Sequence, residues 1–123
     1  LLVAGNPIPK FRPGNVRYIG YVNDLAPVYS AVDFTILPSY YEPFGLVVLE
    51  SVQCGTPVIV TRNVGAAELL TEREAIFLAD NRPKTMADTI RRLKSGLRVE
   101  PGFALHHNLT LDQHITMIKA HFL

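Results

Sequence analysis

Apolar positions in this chain come in short runs, and their spacing alternates between strand-like and helix-like. Leu1–Ala4 is a continuous apolar run closed by Gly5-Asn6-Pro7, which reads as a buried parallel strand. Residues 6–15 hold Pro7, Pro9, Pro13 and Gly14 and read as a loop. Val16–Tyr21 is a second strand. Leu25, Val28, Tyr29 and Val32 then follow the i, i+3, i+4, i+7 stripe, predicting a helix over 24–32. Asn23 or Asp24 can cap it, and Pro27 is tolerated in its first turn. Phe34–Leu37 is a third strand, stopped by Pro38. A helix runs from near Gly45 to Gly55, a residue suited to a C-cap. Val58–Val60 is a fourth strand, Val64–Leu70 a short helix and Ala75–Ala79 a fifth strand. Pro83 opens a helix whose stripe is Met86, Ile90, Leu93 and Leu97, with Gly96 and Gly102 bracketing its end. A last helix starts at Thr110, with Gln113 completing a capping box and Leu111, Ile115, Ile118 and Phe122 forming its apolar face.

Short buried strands alternating with helices predict an α/β fold: a Rossmann-like parallel sheet with helices on both faces. Right-handed crossovers put every strand's carboxyl end on one side, where ligands of such sheets bind. The loops there are 5–10, 20–24, 38–44, 61–65 and 80–83.

Composition narrows the function. A chain of 123 residues, 48% apolar and 19% charged, fits one globular domain. A net charge of +1 predicts no strong attraction to nucleic acid. No apolar run approaches the roughly 20 residues that span a bilayer. Leu1–Gly5 is too short and lacks the basic flank of a signal peptide. The single Cys54 cannot form an internal disulfide, which fits a reducing compartment; with no neighbouring base, it reads as a small buried residue. His106, His107, His114 and His121 lack the carboxylates or cysteines of a metal site, so no metal is expected. Arg82, Lys84, Arg91, Arg92, Lys94 and Arg98 fall mostly opposite the apolar stripe and read as a solvated face, with peripheral membrane contact as the lesser reading.

Candidate chemistry concentrates in Pro38–Pro57, where Glu42 and Glu50 are separated by seven residues. Glu50 follows four apolar residues. A carboxylate turned into such surroundings costs several kcal/mol unless it is paired or hydrogen-bonded. The two hydroxyls of a ribose could satisfy it; the alternative is a carboxylate facing solvent on the helix's outer side. Glu42 precedes the helix N-terminus, which suits an anion or a phosphate. Gly45 would let backbone N–H groups approach a ligand closely. The plainer alternative is an ordinary loop acid beside a turn shaped by Pro43-Phe44.

The run E-P-F-G-L-V-V-L-E followed by C-G-T-P-V-I-V resembles the retaining GT-B glycosyltransferases of the glycogen-synthase-like group 1 family. The likeness extends through V-R-Y-I-G-Y-V, A-V-D-F-T-I-L-P-S and N-V-G-A-A-E, over about residues 1–100. It implies that residues 1–123 form the C-terminal nucleotide-sugar-binding domain of a two-domain enzyme. Glu42 would hold hydroxyls of the donor sugar and serve catalysis. Glu50 would hold the ribose diol, and the amides of Phe44, Gly45, Leu46 and Val47 would line the sugar and diphosphate. Gly20, Tyr21 and Val22 would face the base. Gly65 and Glu68 match the family's Gly-x-x-Glu turn, a structural support that can also touch ligand. The donor would be a nucleotide diphosphate sugar, used without metal or other cofactor. The acceptor would be a glycan, lipid or small molecule, and the setting cytoplasmic, including the inner face of a membrane. A nucleotide-sugar epimerase and a non-catalytic nucleotide-sugar-binding module share this architecture.

The family carries a strand and an Arg/Lys pair before the position of Leu1, and nothing in residues 1–10 matches them; Lys10 and Arg12 sit in another loop. A doubly wound sheet without its central first strand has a gap. The chain is therefore expected to be part of a longer protein, with residues missing before Leu1 and within 6–15. An N-terminal Rossmann-like domain would supply the acceptor site, and this piece alone would be inactive.

Overall fold

A computed structural model describes residues 1–6, 13–93 and 96–106, with single positions 112, 116 and 119 beyond them. The order is β1 (Leu2–Ala4), β2 (Arg17–Gly20), α1 (Ala26–Ala31), β3 (Thr35–Leu37), α2 (Leu46–Gln53), β4 (Val58–Thr61), a 3-10 helix (Gly65–Leu69), β5 (Ala75–Leu78), α3 (Pro83–Arg92) and α4 (Phe103–His106). All five strands pair in parallel, as their lack of in–out alternation predicts.

The strands form two wings. β3, β4 and β5 make one, with Ile59 of β4 between Ile36 and Ile76. β1 and β2 make the other, with a register slip between Val3 and Ala4. The sheet is thus divided, as the expected gap requires: among the described residues neither wing pairs with the other. In a doubly wound order, a central strand separates two such wings.

The core sits under β4, whose four residues are all buried. Val48 and Val52 of α2, Val58, Val60, Val64, Ala66, Ala67, Leu70, Ala75 and Phe103 form one cluster. Each large apolar side chain so buried contributes about 1.5–3 kcal/mol.

Local signals moved some boundaries. Asp24 Oδ1 accepts the Ala26 N–H at 3.0 Å, so α1 starts two residues later than predicted. The helix expected over Val64–Leu70 is a single 3-10 stretch. α3 ends at Arg92, leaving Leu97 outside it and 49% exposed. No α3 residue is fully buried, because the helix packs on β5, at the edge of its wing. α4 was not predicted. Its Phe103 is buried in the core, and the Ala104 N–H donates to Gln53 Oε1 at 2.9 Å. The helix expected from Thr110 lies outside the described residues, as do Lys10, Arg12, Lys94 and the later histidines; His106 closes α4.

Candidate functional site

The loop leaving β3 is fastened to the loop leaving β4 through its main chain. Glu42 and Val64 form an isolated parallel bridge. The Glu42 N–H donates to the Asn63 carbonyl at 3.1 Å, and the Gly65 N–H to the Glu42 carbonyl at 3.0 Å. The Ala66 N–H donates to the Phe44 carbonyl at 2.6 Å. This approach requires glycine at 65, where a Cβ would lie 2.2 Å from the Pro43 carbonyl oxygen. Gly45 is needed twice over. Its φ of 84° is left-handed, and a Cβ there would meet Val64 Cγ1 at 2.6 Å.

Gly45 is the N-cap of α2, and its carbonyl accepts the Val48 N–H at 3.0 Å. First-turn amides of a helix have no acceptor within the helix, so this end attracts anions. It opens outward: Phe44, Leu46 and Val47 are exposed, as are Tyr40 and Tyr41. Glu42 is half-buried, and its Oε1 accepts the Phe44 N–H at a long 3.4 Å. Val48, Ser51 and Val52 form the buried face of α2.

Glu50 lies on the exposed face, with Leu46, Val47 and Gln53. It is therefore not the carboxylate turned into apolar surroundings that four preceding apolar residues suggested; helical spacing carries it to the open side. It is nonetheless held. The Tyr29 hydroxyl donates to Glu50 Oε2 at 2.9 Å. Tyr29 is buried, and burial first, then the bond to Glu50 and its charge, push its hydroxyl well above the usual tyrosine range. The Tyr29 carbonyl accepts the buried Thr56 hydroxyl at 2.7 Å. Ser51 Oγ donates to the Thr56 carbonyl at 2.9 Å and shares a 2.7 Å hydrogen bond with Thr35 Oγ1.

The sequence reading had Tyr29 only as one member of an apolar stripe and did not single out Thr56. The usable signal was a tyrosine, the one residue of that stripe with a polar tip, since a buried hydroxyl needs a partner.

The other predicted positions scatter. Gly20 ends β2 with a φ of 71°, and its carbonyl accepts the Gly5 N–H at 2.7 Å. Tyr21 beside it is 85% exposed, and Val22 is half-buried. Glu68 is exposed on the 3-10 helix, and Cys54 is half-buried rather than buried. A cavity of about 540 Å³ lies at the carboxyl ends of β4 and β5, lined by Thr61, Arg62, Asn63, Phe77 and Asp80 among others; Glu42 and Glu50 do not line it, though the Asn63 carbonyl accepts the Glu42 N–H. Arg62 lies over the Phe77 ring at 4.1 Å and pairs with Glu72 at 3.8 Å. Among the described residues no three metal-ligating side chains converge, and no helix is long and apolar enough to cross a membrane.

Parallel strand wings with flanking helices define a Rossmann-like α/β protein, and structures of that kind resemble it. A sucrose-phosphate synthase from Thermosynechococcus elongatus aligns with a TM-score of 0.64 at 29% identity, over 74% of this chain and 28% of that one. Anabaena HepE, solved in complex with UDP, aligns with a TM-score of 0.56 at 28% identity, over 62% of this chain and 21% of that one. The family described as "Glycosyl transferases group 1" matches residues 1–95, and the chain belongs to it. A protein from Burkholderia thailandensis named as a probable transglycosylase is 39% identical over 98% of this chain and 34% of its own length. The chain thus spans about a third of that curated relative.

Proposed function

We propose that this domain is the donor-binding half of a retaining glycosyltransferase and that it holds a nucleotide diphosphate sugar at the N-terminus of α2. The diphosphate rests on the amides of Phe44, Gly45, Leu46 and Val47. Glu42 takes hydroxyls of the donor sugar, and Glu50 takes the ribose diol. Tyr21 and its neighbours Gly20 and Val22 face the base. A strand from outside residues 1–123 lies between β1 and β3, and a second Rossmann-like domain brings a glycan, lipid or small-molecule acceptor. Transfer breaks the bond between the anomeric carbon and a diphosphate oxygen. Charge then develops on that oxygen, and fixed N–H groups aimed at it lower the barrier without reorganising.

The observation that carries this reading is the open N-terminus of α2 with one carboxylate before it and another on its exposed face, in a chain of this family. Membership of the family favours transfer over epimerisation.

The test is binding and transfer by the intact protein. Glu50→Gln is expected to weaken nucleoside diphosphate binding about tenfold, the worth of a charge-assisted hydrogen bond. Glu42→Gln is expected to spare that binding and to suppress sugar transfer. Unchanged nucleotide affinity in Glu50→Gln removes the ribose assignment, and undiminished transfer by Glu42→Gln removes the sugar assignment.

A further inference from the structure

Glu50 is the exposed member of a hydrogen bond whose other member is buried. A glutamate on an open helix face ordinarily samples several rotamers, and ordering such a side chain costs up to about 2 kcal/mol. Here the tyrosine hydroxyl fixes one oxygen, Oε2, at 2.9 Å. Oε1 keeps its lone pairs for another donor, since an ionised carboxylate offers about four acceptor sites. Tyr29 cannot follow Glu50 if the carboxylate drifts. The residue is only 6% exposed, and its carbonyl is fastened by the buried Thr56 hydroxyl at 2.7 Å. The same bracket ties in Ser51, one residue from Glu50 on α2. Donor and acceptor are thus both fixed from below, while the carboxylate faces outward.

We propose that Tyr29 is a positioning residue for recognition of a ribose diol. It holds Glu50 in the single orientation that accepts hydrogen bonds from the two adjacent hydroxyls of a nucleoside diphosphate. This inference rests on the ribose reading given above. Tyr29 touches Glu50 and not the ligand, so its effect is confined to what Glu50 recognises. The hydroxyl's raised proton affinity keeps it a donor across the neutral range.

The experiment compares a ribonucleoside diphosphate with its 2′-deoxy counterpart by calorimetric titration of the intact protein, using whichever of UDP, GDP and ADP binds best. The wild type is expected to favour the ribose form about tenfold. Tyr29→Phe keeps the ring and removes only the hydroxyl. It is expected to cut that preference to about threefold or less by weakening the ribose form, with 2′-deoxy affinity unchanged. The 2′-deoxy ligand is the internal control: a folding defect lowers both affinities together, whereas lost positioning lowers one. If Glu50→Gln abolishes the preference and Tyr29→Phe retains it in full, the ribose reading stands and the positioning role is overturned. If Glu50→Gln itself retains the preference, the ribose reading falls and this inference with it.

Discussion

The loop carrying Glu42 is fastened through its main chain, by a bridge to Val64 and by two glycines with no room for a Cβ, while the Glu42 side chain accepts one long hydrogen bond. Glu50 is the reverse case. Its main chain is ordinary helix, and its carboxylate is fastened by a hydroxyl from another helix. One acid is aimed by the path of the chain and the other by a partner. On the proposed reading, an acid that meets the sugar can keep its own rotamers if the loop is rigid, and one that meets the ribose diol gains from having its rotamer chosen beforehand. Damage should therefore spread differently: errors in the Glu42 loop should reach stability first, and errors at Glu50 should reach binding first.

The largest effect expected of this contrast is at Gly65. An alanine Cβ there would sit 2.2 Å from a main-chain oxygen, so two loops must separate. Gly65→Ala is expected to lower stability by roughly 3 kcal/mol, the upper end for overpacking, and to disturb Glu42 with it. Gly14 has nothing within 4 Å of its Cβ position, and Gly14→Ala should leave stability unchanged. Urea midpoints of the two variants decide the matter. A Gly65→Ala protein as stable as Gly14→Ala would mean that the loop yields freely, and Glu42 would lose its claim to main-chain fixation.

How far the sequence foretells this contrast follows from what each half depends on. The strands and α2 were legible because valine runs and glycine stops act locally. The division of the strands into two wings was anticipated from the strand order of the family, not from any residue within the wings. Gly65 was noticed in a Gly-x-x-Glu pattern, but its reason lies in Pro43, twenty-two positions away in the chain. Glu50 was picked for a burial it does not have. Its true constraint, Tyr29, lies twenty-one positions back on α1 and depends on how two helices pack. The boundary of α3 was missed because the apolar stripe runs past the helix end; Leu93 and Leu97 keep the spacing after the helix stops at Arg92. α4 was missed because four residues cannot display a period; Phe103 is buried by its docking on α2.

A smaller effect sharpens the Glu50 side by pH. The Tyr29 hydroxyl takes up its proton more readily in the folded protein than a free tyrosine, chiefly through burial and then through Glu50. Its stability contribution is therefore complete below the unfolded value, near 10, and is lost as pH rises through the higher folded value. The loss can reach about 1.4 kcal/mol per pH unit for one group. Tyr29→Phe has no such proton to lose. The stability advantage of the wild type over that variant should hold from pH 7 to 9 and narrow by pH 11, measured as urea unfolding at each pH. A constant gap would mean that the folded protein does not hold the hydroxyl's proton more tightly than a free tyrosine does.

The smallest effect comes from a third carboxylate, fastened by a partner that is itself exposed. The side-chain hydrogen bonds from Arg82 hold the Asp80 carboxyl well below the usual carboxylate range, with Thr85 adding a further bond. Arg82 is 77% exposed, so solvent and salt screen the pair, unlike the buried ring behind Glu50. A lowered value stabilises above the unfolded value, near 3.9, and the contribution fades as pH falls through the folded value. Wild type and Asp80→Asn should differ only slightly in melting temperature at neutral pH, and that small gap should close only in strongly acidic solution. Nucleoside diphosphate affinity should not change, because Asp80 lines the cavity beside β4 and β5, which neither Glu42 nor Glu50 lines. If Asp80→Asn weakened binding as much as Glu50→Gln, the ligand would have to reach the cavity beside β4 and β5 as well.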